Sequence, residues 1–582
     1  MADGVARLAT EERAAPPASV PAPACGGPPS GPALDPGSVA TTPVLAPAAA
    51  SLALAACGGG GGGGGAAPGP VTPPPVAILP SRGQAARFLS QAAMGSSRAH
   101  VDQVAAIGYE AWLDQQFGMA RAVTHWDWLI AAGYSNVSTM NSQAGFDPVM
   151  WRQLIANNDQ LRQRVGMALL NFLVVGIDGV NVSWRQFACA AYMDVLFDNA
   201  FGNFRVLLEA FSKNVAMGLY LTFLGNRKAN PATGSVPDEN YARELMQLFT
   251  IGLQRLNMDG TLQLASGQPV ETYTQDDITG LARVFTGWNI ANSDNSSPDR
   301  LRLPMINNAG QHETGAKTFL GTTIPAGTAG PASLSLALDA IFAHPNVPPF
   351  VSKQLIQHLV TSNPTPSYVG RISAVFANNG AGVRGDLRAV VRAILLDPEA
   401  RSDLNAGAPT FGKLREPINR LTGWARAFNA NSASGAWAIG DTSSTANRLG
   451  QSPGRSPSVF NFFRPGYTPP NTAIANQGLV APEFQITNEP SVIAYVNYMA
   501  VLIAAGAGDF QAIYTDMVAL ASNSTALVDE VDILLGAALG AATKASIRTA
   551  VDSIATTGNG PINRVYTAIL LTLAAPEFLV QK

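Results

Sequence analysis

The sequence predicts a mainly α-helical protein: a large irregular multi-helix domain with long loops and at most a small β-hairpin. Apolar residues recur at three- and four-residue spacing, which is the pattern of a buried helix face, and the two-residue alternation of half-buried strands is nearly absent. Hydrophobic residues make up 47% of the 582-residue chain and charged residues only 13%. This composition supports a large core and excludes disorder driven by charge.

Helical periodicity is clearest in four segments, at residues 161–172, 241–249, 278–288 and 565–573. The best strand signal is TFLGTTI, residues 318–324, which predicts the hairpin. Long polar connections rich in Gly and Pro separate the helices, at residues 226–237, 289–311, 429–458 and 464–490. Such long loops often carry function. We expect one helical domain over residues 81–582, with a division near residue 300 as the alternative.

Residues 1–80 are rich in Ala, Pro and Gly and predict a disordered region. Within it, the run VLAPAAASLALAAC ends in residues 54–57 (LAAC), which match the bacterial lipobox pattern. The match predicts a lipoprotein signal peptide, lipidation of Cys57 and a flexible tether beginning with glycines 58–65. The alternative is a featureless linker, because no basic residue follows Arg13 before the apolar run. The expected location is secreted or in the cell envelope, as a periplasmic or outer-membrane lipoprotein.

Several classes of protein are excluded by composition. The net charge of −3 and the lack of a basic cluster argue against nucleic-acid binding. No run of 18 apolar residues is present, so no transmembrane helix is predicted. Cys189 is the only cysteine beyond residue 80 and is expected to be a buried small hydrophobe. Residues 380–385 fit GxGxxG but follow a helical pattern, so they do not predict a dinucleotide site. The sequence indicates no particular metal or cofactor.

Four long blocks carry a family resemblance. They are FGNFRVLLEAFSKNVAMGLYLTFLGNRKA (201–229), PDENYARELMQLFTIGL (237–253), YTQDDITGLARVFTGWN (273–289) and HPNVPPFVSKQLIQHLVTSNP (344–364). Shorter segments support them, among them PSVFNFFRPGY (457–467). Over about residues 82–580 the chain resembles the bacterial "domain of unknown function 1800" family. The resemblance implies a secreted or envelope-associated protein with no assigned biochemical role. It also implies a partner from a second uncharacterised family, number 1501, which resembles alkaline-phosphatase-type enzymes.

One block departs from the family pattern. Some members have a histidine in the segment that reads VGMALLNFLVVG here, residues 165–176, and this chain has none. A metal role for that block is therefore not carried over.

Glu244 is the first candidate for a catalytic role. Pro237 and Asp238 predict a helix start at which the Asp238 side chain caps free backbone N–H groups. On this helix Glu244 falls at the border of the apolar stripe, where a carboxylate must be paired or protonated. Two interpretations stay open: a general acid/base or metal ligand, and a structural ion pair with Arg283.

His312 and Lys317 are the other catalytic candidates. The chain has five histidines and none shows a local zinc-ligand spacing. His312 differs from the others because it lies in a polar loop with Glu313 and Lys317, just before the predicted hairpin. The four remaining histidines are expected to be structural.

A further set of polar and aromatic residues in the family blocks forms the candidate binding set. These residues are Asp238, Asn240, Arg243, Asp277, Trp288, Asn461 and Arg464. Thr274 and Asp277 have capping-box spacing, which explains both without a ligand. The aromatic segment around Asn461 and Arg464 has two interpretations: stacking on a ligand, or pinning a long loop to the core.

The sequence leaves three functions open. The leading hypothesis is a secreted or envelope-tethered protein with a binding or accessory role beside a partner protein. The first alternative is a hydrolase or metal-dependent enzyme that uses Glu244 and His312, and the second is a structural envelope scaffold. The sequence does not decide whether the protein is an enzyme.

Overall fold

The computed structural model describes residues 79–582, and these residues belong to one compact unit. The unit is mainly α-helical, as the sequence predicts. The predicted signal peptide, Cys57 and the tether lie outside the described residues. No helix of the described part is long and apolar enough to cross a membrane.

The first part of the unit contains nine α-helices. They are α1 (Arg82–Ala92), α2 (Arg98–Gly118), α3 (His125–Ala131), α4 (Phe146–Ala156), α5 (Gln160–Phe172), α6 (Arg185–Asp198), α7 (Phe204–Ser212), α8 (Val215–Tyr220) and α9 (Asn240–Glu244). The central helix is α5, which packs against α1, α2, α4, α6 and α12 (Val347–Leu359). Nearly every side chain of α5 is buried, so this helix is surrounded by protein along its length.

The remaining helices complete the unit. They are α10 (Gln275–Ala282), α11 (Gly330–Ala343), α13 (Pro366–Ala377), α14 (Leu387–Leu396), α15 (Pro398–Arg401), α16 (Asp403–Gly407), α17 (Pro417–Ala427), α18 (Ala473–Asn476), α19 (Glu489–Ala505), α20 (Thr515–Leu520), α21 (Ser524–Leu535), α22 (Ala541–Asp552), α23 (Gly560–Ala574) and α24 (Pro576–Leu579). Short 3₁₀ turns lie at Val137–Thr139, Ile177–Gly179, Arg283–Phe285, Pro298–Leu301 and Pro482–Ile486.

All strands of the described part occur in two-stranded antiparallel pairs. The pairs are β1 (Leu264–Ala265) with β2 (Gln268–Pro269), β3 (Trp288–Asn289) with β4 (Ile306–Asn307), β5 (Lys317–Phe319) with β6 (Thr322–Ile324), β7 (Lys413–Leu414) with β10 (Val580–Gln581), and β8 (Asn431–Ser432) with β9 (Phe510–Gln511). The β5–β6 pair is the predicted hairpin, with Thr318 opposite Thr323. The other pairs carry no alternating sequence pattern, because each strand is only two residues long.

Helix α9 does not end at Glu244 but continues as a π-helix over Leu245–Thr250. The backbone N–H of Ile251 donates to the carbonyl of Met246, five residues earlier. The Thr250 hydroxyl donates to the carbonyl of Leu245 at 2.5 Å. A π-helical turn is rare and often marks a functional site, since it changes the direction of the side chains that follow.

Buried arginines hold distant segments together through backbone carbonyls. Arg164 donates to the carbonyls of Gln91 and His358, Arg415 to those of Phe578 and Gly536, and Arg426 to those of Gly95 and Asn157. Burial lowers the pKa of Arg415 to about 9 and that of Arg426 to about 10. These contacts tie the first and last helices to α5 and α17, because a planar guanidinium offers several donors in fixed directions.

Candidate functional site

An open cleft of about 740 Å³ lies between α12, the π-helix and residues 460–480. Helix α12 presents Phe350, Lys353, Gln354 and Gln357 to this cleft. The four residues have the spacing i, i+3, i+4 and i+7, which places them on one face of the helix.

The walls of the cleft are apolar, with amide side chains among them. The apolar part includes Leu248, Leu253, Leu256, Leu262, Phe350, Phe460 and Leu479, and the amides are Gln247, Gln254, Gln354, Gln357 and Asn363. Leu253 is 57% exposed and Leu262 is 43% exposed. Apolar side chains that remain exposed around a concave surface are typical of binding sites.

The amides differ in how far the protein satisfies them. Gln357 donates to the carbonyl of Ser362 at 2.9 Å, and Asn363 exchanges two hydrogen bonds with the backbone of Val480. The Oε1 atom of Gln354 is buried and has no hydrogen-bond partner among the described residues. A buried acceptor without a donor is unfavourable, so Oε1 of Gln354 would accept a hydrogen bond from a ligand N–H that reached it.

Among the described residues that line the cleft, Lys353 is the only charged one. It makes no ion pair within the described part of the chain. Burial lowers the pKa of its ammonium group. Oδ1 of Asp259, in the turn beside the Lys353 stem, accepts the N–H and the hydroxyl of Thr261, and Asp259 makes no ion pair with Lys353 in the described residues. Lys353 therefore lines the cleft without an ion-pair partner in the described part of the chain.

Residues 457–467 separate this cleft from the interior. Asn461 has φ 58°, a left-handed conformation that Asn tolerates better than most residues. Its side chain points inward, where Nδ2 donates to Asn171 Oδ1 at 2.7 Å, and Phe463 is buried near His358. Phe460 points the other way, lines the cleft and stacks under Arg464 at 4.7 Å. The inward contacts of Asn461 and Phe463 agree with the interpretation that this segment pins a loop to the core, and stacking of Phe460 or Arg464 on a ligand stays a prediction.

Beneath this segment lies a buried charged cluster around Lys413. Its ammonium lies 2.8 Å from Glu483 Oε1 and 3.6 Å from Glu416 Oε1, and it donates to the carbonyl of His358 at 3.0 Å. Gly412 places Lys413 there, because a Cβ at residue 412 would lie only 2.3 Å from the carbonyl oxygen of Gln581. The cluster is closed to solvent, since all its side chains are buried.

The two carboxylates of the cluster respond differently to burial. Burial alone would raise the pKa of Glu416, but Lys413 and Arg164 hold it below its ordinary value. Glu416 also accepts N–H groups from Asn171 and Gln451. Burial raises the pKa of Glu483 more than Lys413 lowers it. The carboxyl group with additional donors therefore has a lowered pKa, and the other has a raised one.

His358 stays neutral in this cluster. Burial lowers its pKa to about 3, and Lys413 reinforces the effect. The ring lies parallel to Phe172, and Nδ1 is 3.4 Å from the Asn171 amide. This agrees with the expectation of a structural histidine.

Glu244 is 7% exposed, and its Oε2 atom has no hydrogen-bond partner in the described residues. The expected ion pair with Arg283 is wrong: Arg283 pairs with Glu313 at 3.4 Å and donates to the carbonyl of Ala316. Burial raises the pKa of Glu244. Glu244 precedes the cleft-lining residues Gln247 and Leu248 in the same helical segment but does not itself line the cleft.

His312 and Lys317 occupy a different environment. His312 Nδ1 lies 2.9 Å from the carbonyl oxygen of Thr286, which assigns the ring proton to Nδ1, and Nε2 has no partner in the described chain. Lys317 is buried with one long hydrogen bond, 3.4 Å to the carbonyl of Gly315. Burial lowers the pKa of both groups. No hydrogen bond or ion pair of the described residues joins either side chain to Glu244, and neither lines the cleft.

The other predicted binding residues have local roles. Asp238 caps its helix by accepting the N–H of Asn240 at 2.8 Å, and Asn240 lies beside Thr222. Arg243 pairs with Glu239. These side chains form a polar surface on the start of α9, outside the cleft lining.

Asp277 and Trp288 also serve the fold. Asp277 completes the predicted capping box with Thr274 and accepts the N–H of Leu320 at 2.6 Å. Trp288 is buried, and its indole N–H donates to the carbonyl of Val284. The described residues contain no group of three or more His, Cys, Asp or Glu side chains able to hold a metal ion. Cys189 is buried, as expected, and burial raises its pKa.

Sequence reasoning missed Lys353, Gln354 and the cluster around Lys413. All of them lie in segments that are distinctive as sequence, VSKQLIQHL and GKLREP. The sequence feature that could have indicated the cluster is GKLREP, in which Lys413 and Glu416 lie between a glycine and a proline.

The whole unit matches one family model, described as "Protein of unknown function (DUF1800)", over residues 87–580. The chain belongs to this family. The cleft, π-helix and charged cluster all fall inside the part matched by the DUF1800 model. No curated protein and no solved structure matches the chain.

Proposed function

We propose that this DUF1800 protein is a binding protein whose cleft holds an extended polypeptide segment. The observation that carries the proposal is the cleft of about 740 Å³ with apolar walls and a buried acceptor, Gln354 Oε1, that lacks a donor. An extended segment has unpaired N–H and C=O groups at regular spacing, and amide side chains can pair with both. The leucines and phenylalanines of the walls would take its apolar side chains.

The cleft can be blocked by one substitution with a matched control. Gly466 lines the cleft, and a Cβ there would meet nothing within 4 Å. Gly118, at the end of α2, has the same open space and also has an ordinary φ, but lies outside the cleft lining. Gly466→Trp adds a large side chain to the cleft lining without backbone strain, and Gly118→Trp adds the same bulk elsewhere.

A synthetic library of random hexapeptides is passed over the wild type and both variants. Peptides retained by the wild type and by Gly118→Trp, but lost from Gly466→Trp, support the proposal. Equal retention by all three proteins, or retention by none, rejects it.

We also propose that the protein is tethered in the cell envelope through Cys57. The lipobox-like residues 54–57 and the following glycines support this. Fractionation of cells that express wild type, Cys57→Ser and Cys25→Ser tests it. Only Cys57→Ser should move from the membrane fraction to the soluble fraction, and membrane retention of Cys57→Ser would reject the anchor.

The partner that the resemblance implies is a protein of the 1501 family, and a tethered binding protein suits such a role. Co-purification with tagged wild type and Gly466→Trp distinguishes docking in the cleft from docking elsewhere. Loss of the partner only from Gly466→Trp would place its contact in the cleft. A 1501-family protein that does not co-purify with the wild type would reject this partner.

A second candidate is an enzyme in which Glu244 acts as a general acid or base. Its raised pKa, its unpartnered Oε2 and its place three residues before the cleft-lining Gln247 favour this function. Peptide hydrolysis by the wild type that is lost in Glu244→Gln and kept in Glu239→Gln would support it. Retained peptides that stay intact over long incubation would reject it.

A further inference from the structure

We propose that Lys353 binds a carboxylate of the peptide, so that the cleft selects anionic extended peptides. The inference rests on the proposed function and names the ligand chemistry of the same cleft. It is carried by the position of Lys353, the one charged residue among the described cleft-lining side chains.

The residue with the charge is next to the residue with the unsatisfied acceptor, and both line the cleft. Lys353 and Gln354 are consecutive on α12, and Phe350 and Gln357 lie one turn to either side on the same face. A peptide along this face would meet an apolar ring, an ammonium and two amides in turn. The ammonium would take a carboxylate, and Gln354 Oε1 would take an N–H.

No acidic side chain of the described cleft lining competes for Lys353. Asp259, in the adjacent turn, accepts two hydrogen bonds from Thr261 at Oδ1, 3.0 and 2.6 Å long, and forms no ion pair with Lys353 in the described residues. Burial has lowered the pKa of Lys353, and an incoming carboxylate would restore a favourable environment for its charge. A cationic peptide would meet an uncompensated like charge at the same place, so the cleft also rejects that class.

The carboxylate could come from a free C-terminus or from an Asp or Glu side chain. Both groups carry one negative charge and can accept the same hydrogen bond from the ammonium, so the experiment must distinguish the two sources. Three forms of one retained hexapeptide serve as probes: free carboxylate, C-terminal amide, and amide with an internal aspartate. Calorimetry measures the affinity of each form for wild type, Lys353→Gln and Lys228→Gln, where Lys228 is an exposed lysine outside the cleft lining.

The expected result is that wild type and Lys228→Gln bind a carboxylate form about tenfold more tightly than the plain amide, as a charge-assisted hydrogen bond should. Lys353→Gln should bind all forms equally, at the affinity of the amide. The peptide form that binds about tenfold more tightly than the plain amide identifies the source of the carboxylate.

Three outcomes would overturn the inference. Equal affinity of all forms for the wild type leaves the peptide-binding function intact but rejects the carboxylate site. A tenfold preference that survives in Lys353→Gln assigns the carboxylate to another residue. Full displacement of the peptide by decanoate, with decanoate binding the more tightly, would make an acyl chain the occupant.

Discussion

At the scale of single residues, the interior holds one lysine between two carboxylates. Lys413 contacts Glu483 and Glu416, and the amides of Asn171 and Gln451 hold Glu416. A buried ion pair stabilises the folded state little compared with apolar side chains of similar size. Removal of one partner, however, strongly destabilises the fold, because the other charge is then buried alone. The cluster therefore fixes the position of residues 412–417 and of the turn that carries Glu483.

Lys413→Met should strongly destabilise the protein. It leaves two buried carboxylates without their cation, which costs about 3–5 kcal/mol. Urea unfolding measures the change. Lys213→Met is the control, because Lys213 pairs with Glu209 at the surface and its loss should cost less than about 1 kcal/mol.

The double variant Lys413→Met/Glu483→Met distinguishes the effect of an unpaired buried charge from the effect of the changed side-chain shape. Removing both partners should recover much of the loss, because the remaining carboxylate, Glu416, keeps its amide donors. Equal stability of the single and double variants would mean that the ion pair is not the cause.

Glu244→Gln should make the protein more stable at pH 7. The pKa of Glu244 is raised above 4.5 by burial, so the folded state binds its proton more tightly than the unfolded state does. The favourable contribution of Glu244 to the free energy of unfolding is complete below pH 4.5 and is lost as the pH rises through the pKa of Glu244 in the folded state. Denaturation at pH 4 and pH 7 should therefore show a gain for the variant at pH 7 that shrinks at pH 4. A loss of stability at pH 7 would contradict the assignment.

At the scale of elements, α10 lies directly on the hairpin of β5 and β6. A Cβ at Gly280 would lie 1.8 Å from the carbonyl oxygen of Thr318, so the two elements touch backbone to backbone. The capping box of Thr274 and Asp277 starts this helix, and Asp277 then reaches the N–H of Leu320. The sequence predicted the cap and the hairpin separately, but their contact depends on the missing side chain of Gly280.

Gly280→Ala should destabilise the protein although alanine is the better helix former. The added methyl group must push α10 from the hairpin, and overpacking typically costs about 1–3 kcal/mol. Gly83→Ala in α1 is the control, because its Cβ would meet only Ser81 Oγ at 4.0 Å. That variant should gain up to about 1 kcal/mol. Thermal unfolding measures the stability of both variants against the wild type. A Gly280→Ala variant as stable as the wild type would contradict the close contact between α10 and the hairpin.

At the scale of the whole molecule, residues 580–582 connect helices that are far apart in the sequence. Strand β10 pairs with β7, and the Gln581 side chain donates to the carbonyl of Leu359 and accepts from Arg164. The carbonyl of Lys582 accepts from Gln91 in α1. The end of the chain therefore contacts α1, α5 and α12, and holds β7 beside the charged cluster.

Deletion of residues 580–582 should lower the stability of the entire unit by about 3 kcal/mol, because buried donors on Arg164 and β7 lose their acceptors. Far-UV circular dichroism and tryptophan fluorescence should show the same shift, since the core is continuous. A change in only one of the two signals would show that the chain end stabilises a local region alone.

The sequence by itself determined the helical class, the hairpin, the helix caps and the family. These features depend on residues close together in the chain: periodic apolar positions, turn residues and long family blocks. Only the tertiary structure decided where the candidate site lies. The cleft joins residues 247–262, 350–364 and 460–480. The charged cluster likewise joins Lys413 to Glu483. Such contacts depend on how helices pack, because spacing along the chain does not specify which buried faces meet.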